Sequence, residues 1–101
     1  MIALSGVCTA LVTPFSNGKV DLDTFTTLVE RQIQSGVHGL VPCGTTGETP
    51  SLNTDEWAAV IRTTIEVNQG RVPVIAGCGT NSTRQTVDNI KAAKALGADA
   101  A

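Results

Sequence analysis

The residues best placed to do chemistry are Gly44, Thr45, Thr46, Gly47 and Glu48, which follow the apolar run Gly39-Leu40-Val41-Pro42-Cys43. A short apolar run of this kind reads as a buried strand. Two glycines permit a tight turn and let a ligand approach main-chain N–H groups. Two adjacent threonines add two hydroxyls, each able to donate and to accept. A strand that ends in such a loop and leads into a helix is where α/β proteins bind small anions. Taken alone, the five residues fit a plain turn equally well; their surroundings favour the anion cradle.

The elements that must position this loop repeat along the chain. Cys8, Cys43 and Cys78 are spaced 35 residues apart, twice. Each sits where an apolar run breaks into small polar residues, in Gly6-Val7-Cys8-Thr9, Val41-Pro42-Cys43-Gly44-Thr45 and Ala76-Gly77-Cys78-Gly79-Thr80. That period matches one strand–helix unit of a parallel sheet. Metal clusters and disulfide frameworks use shorter or mixed spacings. The cysteines therefore read as small buried residues near the C-terminal ends of three successive strands.

The strands are expected over 7–12, 39–42 and 74–77, nearly continuous apolar runs suited to a sheet covered on both faces. The first helix follows Asp21 and Asp23, carries Phe25, Leu28, Val29 and Ile33 at helical spacing, and stops at Gly36. Asn53 with Glu56 forms a capping-box pattern before Trp57, Val60, Ile61 and Ile65, with Gly70 as the stop. Ser82 with Gln85 repeats that pattern before Val87, Ile90 and Ala93, expected inward, and Lys91 and Lys94, expected outward; Gly97 ends this helix. Residues 98–101 look like the approach to a fourth strand. The order is β-α-β-α-β-α without a linker, so residues 1–101 read as part of one domain that stops midway. Three strands leave sheet edges unpaired, and the piece is not expected to fold alone.

Composition sets the class. The chain is 42% hydrophobic and 16% charged with a net charge of −2, a soluble globular balance. It is too acidic for a nucleic-acid face and has no charge block for a membrane surface. Phe15, Phe25 and Trp57 are the only aromatics, so Val, Ile, Leu and Ala must build the core. Residues 1–15 are apolar enough to imitate a signal peptide, but they lack a basic start, and Thr13-Pro14 interrupts them too early for a spanning helix. They read as the first strand of a cytoplasmic protein, in which the sequon Asn81-Ser82-Thr83 would be inert.

With the loops placed, the chain resembles the N-terminal part of the dihydrodipicolinate synthase / N-acetylneuraminate lyase family of pyruvate-dependent aldolases. The resemblance rests on Thr9-Ala10-Leu11-Val12-Thr13-Pro14-Phe15, Ser35-Gly36-Val37-His38-Gly39-Leu40, Gly44-Thr45-Thr46-Gly47-Glu48, Leu52-Asn53, and the run from Gly70 to Asn81 that contains Pro73-Val74-Ile75-Ala76-Gly77. It implies an eight-stranded β/α barrel of about 250 residues, of which this chain supplies the first three units. It also implies a Schiff base between a lysine and the pyruvate carbonyl, which acidifies the pyruvate methyl group for attack on an aldehyde. Neither cofactor nor metal is implied. The family is usually tetrameric.

By resemblance, Thr46, Gly44 and Thr45 hold the pyruvate carboxylate, and Thr45 relays a proton between two tyrosines. The sialic-acid lyases usually have serine in place of Thr45, so Thr45-Thr46 leans toward the branch that condenses pyruvate with aspartate semialdehyde in lysine and diaminopimelate biosynthesis. A sialic-acid or keto-deoxy sugar-acid lyase remains the alternative. Asn81 matches a residue of the lysine-feedback site found in many members. Gln85 stands where inhibited members have an acidic residue, and Trp57 where some have histidine; weak or absent lysine feedback is therefore expected.

The departures limit what these residues can do alone. The chain has no tyrosine, and its lysines are Lys19, Lys91 and Lys94, none at a strand end. All three read as surface lysines, and the family's catalytic lysine falls beyond residue 101. His38 reads as a surface residue between helix and strand, and Glu48 as an anchor of the loop rather than a general acid. A truncated non-catalytic copy, and more weakly a small flavodoxin-like anion-binding domain, are the competing readings.

Overall fold

Backbone hydrogen bonds in the computed structural model, which describes residues 6–101, place the three expected strand segments side by side and parallel. Strand β1 is Cys8–Ala10. A hairpin follows, β2 (Phe15–Ser16) against β3 (Lys19–Val20), turned by Asn17 and Gly18 at φ of 53° and 75°. Asn-Gly is the standard choice for a two-residue turn with both central residues left-handed, and the sequence marks Asn17-Gly18 as a turn.

Helix α1 (Leu22–Gln34) starts at Asp21, whose Oδ1 accepts from the Thr24 N–H at 3.0 Å. Strand β4 (Gly39–Val41) then pairs with β1 in the register Cys8–Gly39, Thr9–Leu40, Ala10–Val41. Helix α2 (Thr54–Asn68) begins with the expected capping box: the Glu56 N–H reaches Asn53 Oδ1 at 2.8 Å, and Glu56 Oε1 accepts from the Asn53 N–H at 2.9 Å. It ends one residue before the expected stop, with Gln69 itself left-handed ahead of Gly70. Helix α3 (Thr83–Leu96) ends at Gly97, φ 104°.

The third segment, 74–77, is held by a parallel ladder. The Leu40 N–H donates to the Pro73 carbonyl (3.0 Å), the Ile75 N–H to Leu40 (2.8 Å) and the Gly77 N–H to Pro42 (2.9 Å). On its other side Ile75 bridges Ala100, and the Ala76 N–H donates to the Ala100 carbonyl at 2.9 Å. The approach to a fourth strand expected at 98–101 thus already pairs at Ala100. Leu11, Leu40 and Ala76 from the strand segments meet Phe25 and Val29 of α1 and Val60 and Ile61 of α2 in one buried core. Arg71 forks onto Glu30 at 2.8 and 2.9 Å and ties the end of α2 to α1. Among the described residues no helix is long and apolar enough to cross a membrane.

Four expectations change. Strand β1 is not covered on both faces: Cys8 and Ala10 are exposed because β1 is an edge with β4 on one side only. Cys8 is consequently not a buried residue, unlike Cys43 and Cys78. Val87 and Ile90 do not point into the core; each is 44% exposed, because α3 packs on α2 through Ala93 and nothing among the described residues covers its far side. Ser82 and Gln85 form half a capping box: the Gln85 N–H donates to Ser82 Oγ, but the Gln85 side chain turns to Asn89 instead. The part of the N-terminal reading that concerns residues 1–5 lies outside the described residues.

Two features set up tests. A Cβ on Gly77 would land on the Cys43 carbonyl, main chain that cannot swing aside. Gly77→Ala should therefore destabilise the protein by about 1–3 kcal/mol, as overpacking does, read as a lower denaturation midpoint; an unchanged midpoint would mean that the two strand ends are not this close. Burial pushes the Cys43 thiol up to about 12, with neighbouring Cys78 adding to the rise. At pH 8, far below that value, Cys43 stays a neutral thiol. It should resist iodoacetamide in the native protein and react only after unfolding; native labelling at a free-thiol rate would contradict its burial.

Candidate functional site

The loop after β4 is built around two non-glycine residues in the left-handed region, Cys43 and Glu48, both at φ 59°. Such positions cost about 1–3 kcal/mol each and persist only where the surroundings impose them. Between them Gly44 is extended, and Thr45–Gly47 form one 3-10 turn, closed by the Gly47 N–H on the Gly44 carbonyl and the Glu48 N–H on the Thr45 carbonyl, both 3.0 Å. A second short turn, Thr49–Ser51, leads to the α2 cap.

The N–H groups of Thr45 and Thr46 come first in their turn and have no partner among the described residues. Both threonine side chains are exposed, and neither hydroxyl is engaged by another described residue. Gly44 is half-buried and Gly47 buried. Gly44, Thr45 and Thr46 are thus brought together as the sequence suggested, with two free amides and two free hydroxyls at one strand end. That set suits a small carboxylate, which takes several short donors.

Glu48 anchors the loop through its backbone, as expected: its N–H donates to the Thr45 carbonyl at 3.0 Å and its own carbonyl accepts from the Ser51 N–H at 2.8 Å. The Glu48 side chain is exposed and makes no hydrogen bond among the described residues. Thr49 adds the side-chain hold: its hydroxyl reaches the carbonyls of Cys43 and, at 3.0 Å, Gly44. Nothing in local spacing marks Thr49, because its partners are carbonyls exposed only once Cys43 turns left-handed. Trp57 pins the same region from below: its Nε1 donates to the Gly77 carbonyl at 3.0 Å, while Cys43 Sγ lies 3.8 Å from the Trp57 carbonyl oxygen. Thr13 is a further residue that the sequence reading passed over. It is buried beneath the turn, and its hydroxyl has no partner among the described residues.

Asn81 and Gln85 lie elsewhere, on a cleft of about 470 Å³ behind the loop, with Asn53, Trp57, Thr80 and Asn89 also in its wall. No residue lining this cleft carries a charge. Gln85 Nε2 donates to Asn89 Oδ1 at 2.8 Å, and Asn89 Nδ2 donates on to the Cys78 carbonyl at 3.2 Å. Asn89 follows Gln85 by four residues, a spacing that places both on one face of α3.

Lys19, Lys91 and Lys94 are all exposed, as expected for surface lysines. His38 is exposed as well; its Nδ1 accepts from the Val7 N–H at 2.9 Å, a structural tie at the start of the sheet. Among the described residues no three His, Cys, Asp or Glu side chains converge as metal ligands.

Known proteins with this sequence pattern and geometry share a description. The model of the Dihydrodipicolinate synthetase family matches residues 3–101. The 4-hydroxy-tetrahydrodipicolinate synthase of Phenylobacterium zucineum is 54% identical over 96 residues, 95% of this chain and 33% of that protein. The synthase of Nitrobacter hamburgensis is 58% identical over 95 residues, 94% of this chain and 32% of that protein. A crystal structure of dihydrodipicolinate synthase from Acinetobacter baumannii complexed with pyruvate superposes with a TM-score of 0.93 at 44% identity, over 96% of this chain and 34% of that one. The chain spans about a third of the length of the relatives it matches, their N-terminal third. It belongs to the dihydrodipicolinate synthetase family.

Proposed function

We propose that this chain is the pyruvate-cradling third of a 4-hydroxy-tetrahydrodipicolinate synthase, which condenses pyruvate with L-aspartate 4-semialdehyde in lysine and diaminopimelate biosynthesis. The observation that carries the reading is the Thr45–Gly47 turn, with the unpartnered amides of Thr45 and Thr46 beside their two exposed hydroxyls. Thr46 and the main chain from Gly44 to Thr46 bind the pyruvate carboxylate. The donors of this cradle are neutral amides and hydroxyls, which suit a carboxylate without a lysine or arginine from this chain.

The amine comes from the remaining two thirds of the enzyme, since Lys19, Lys91 and Lys94 are exposed and none sits at a strand end of the parallel sheet. It adds to the pyruvate C2 carbonyl and expels water, which makes the methyl protons acidic. The Thr45 hydroxyl can receive a proton on one lone pair while it gives its own away, and so relays protons between tyrosines of the same missing part. The enzyme works in the cytoplasm as a homotetramer. Support for these last statements comes from the family resemblance.

The deciding experiment treats the protein isolated from its source with pyruvate and borohydride. A mass roughly three times the 10.4 kDa of this chain, carrying one reduced adduct on a lysine beyond residue 101, is expected. A protein near 10.4 kDa without adduct would overturn the reading in favour of a non-catalytic copy.

The uncharged cleft generates a second expectation. An ammonium is held less firmly by Gln85 than by a carboxylate, so free lysine at millimolar levels should leave the rate unchanged. Gln85→Glu should make lysine bind about tenfold better, as expected for one added charge-assisted bond. Potent inhibition of the unaltered enzyme by lysine would contradict this.

A further inference from the structure

Thr13 carries a hydroxyl that no other described residue uses. The side chain is 4% exposed, yet its Oγ1 has no hydrogen-bond partner among the described residues. A valine would fill nearly the same volume without stranding a polar atom, so packing does not account for the hydroxyl. Buried polar groups are almost always satisfied, by protein, by water or by a ligand-dependent arrangement.

The candidate cradle is what faces it. The position a Cβ would take on Gly47 lies 3.1 Å from Thr13 Oγ1 and 3.0 Å from the Leu11 carbonyl oxygen. Gly47 has no side chain, so the last residue of the Thr45–Gly47 turn lies directly on the Thr13 hydroxyl. The free hydroxyl sits on the underside of the turn, and the free amides of Thr45 and Thr46 belong to its open end.

We propose that Thr13 is a positioning residue of the carboxylate cradle. When pyruvate settles on the turn, the hydroxyl takes up a hydrogen bond to the turn's main chain, directly or through one water, and holds the two amides in their binding geometry. This rests on the pyruvate reading above. Thr13 acts through the turn and does not contact the reacting atoms.

The test uses Thr13→Val and Thr13→Ser in the protein at the length its source makes. T13V should raise the KM for pyruvate about five- to tenfold, the effect of one lost hydrogen bond. Its kcat should move far less, and its melting temperature should hold or rise. T13S should restore the KM. An unchanged KM in T13V, or an equal rise in T13S, would overturn the assignment, the latter by making the methyl group responsible. If T13V does not fold, Thr13→Ala and T13S replace it as the pair differing by the hydroxyl, and equal KM values overturn the proposal. Borohydride trapping separates the two levels. No adduct in the unaltered protein removes the pyruvate reading and Thr13's role with it; equal trapping by unaltered and T13V protein at limiting pyruvate removes only the role of Thr13.

Discussion

Two strand ends touch main chain to main chain where Gly77 passes Cys43, and the geometry of the site follows from that approach. The Gly77 N–H donates to the Pro42 carbonyl at 2.9 Å, and there is no room for a Cβ between the two segments. With the third segment this close, Cys43 adopts φ 59° and turns the chain out of the sheet. That turn exposes the Cys43 and Gly44 carbonyls to the Thr49 hydroxyl, which closes the loop on itself. Trp57 completes the lock from α2 by donating to the Gly77 carbonyl. One glycine, one left-handed cysteine, one threonine and one tryptophan thus fix the direction in which Thr45 and Thr46 project.

Much of this was legible in the sequence, and what was not has a common cause. The equal cysteine spacing located the strand ends, because a repeated strand–helix unit returns the chain to the same place in the sheet. Asn53 and Glu56 marked the start of α2, because a capping box is local. Glu48's backbone role was legible, but Thr49's grip was not, because the carbonyls it meets are presented only after a turn that a long-range contact imposes. Ser82 and Gln85 repeat the capping pattern, yet Asn89 competes for the Gln85 amide from one turn further along. Val87 and Ile90 follow a helical stripe faithfully but find nothing to pack against among the described residues. Local chemistry was readable; the partner on the far side of each contact was not.

The loop also joins two surfaces that the sequence reading kept apart. Its first turn, Thr45–Gly47, carries the free amides of the candidate cradle, and its second, Thr49–Ser51, borders the uncharged cleft that holds Asn81 and Gln85. Glu48 is the left-handed joint between them. Thr49 belongs to both: it lines the cleft while its hydroxyl grips the carbonyls from which the cradle starts. Trp57 does likewise, with its ring in the cleft wall and its Nε1 on Gly77.

The distribution of local cost points to the same place. Cys43 and Glu48 each hold a strained left-handed backbone at about 1–3 kcal/mol, and the Thr13 hydroxyl, buried without a partner, costs about 1–3 kcal/mol more. The other left-handed non-glycine residues, Asn17 and Gln69, sit in a hairpin turn and at a helix end, where that conformation is routine. Only around residues 43–48 do strain, close main-chain contact and an idle buried hydroxyl coincide. Glycine at Cys43 or Glu48 would relieve the backbone strain, at Cys43 with the loss of a side chain packed in the core, and valine at Thr13 would remove the idle hydroxyl. Strain and idle hydroxyl alike surround the Thr45 and Thr46 amides, which no other described residue engages.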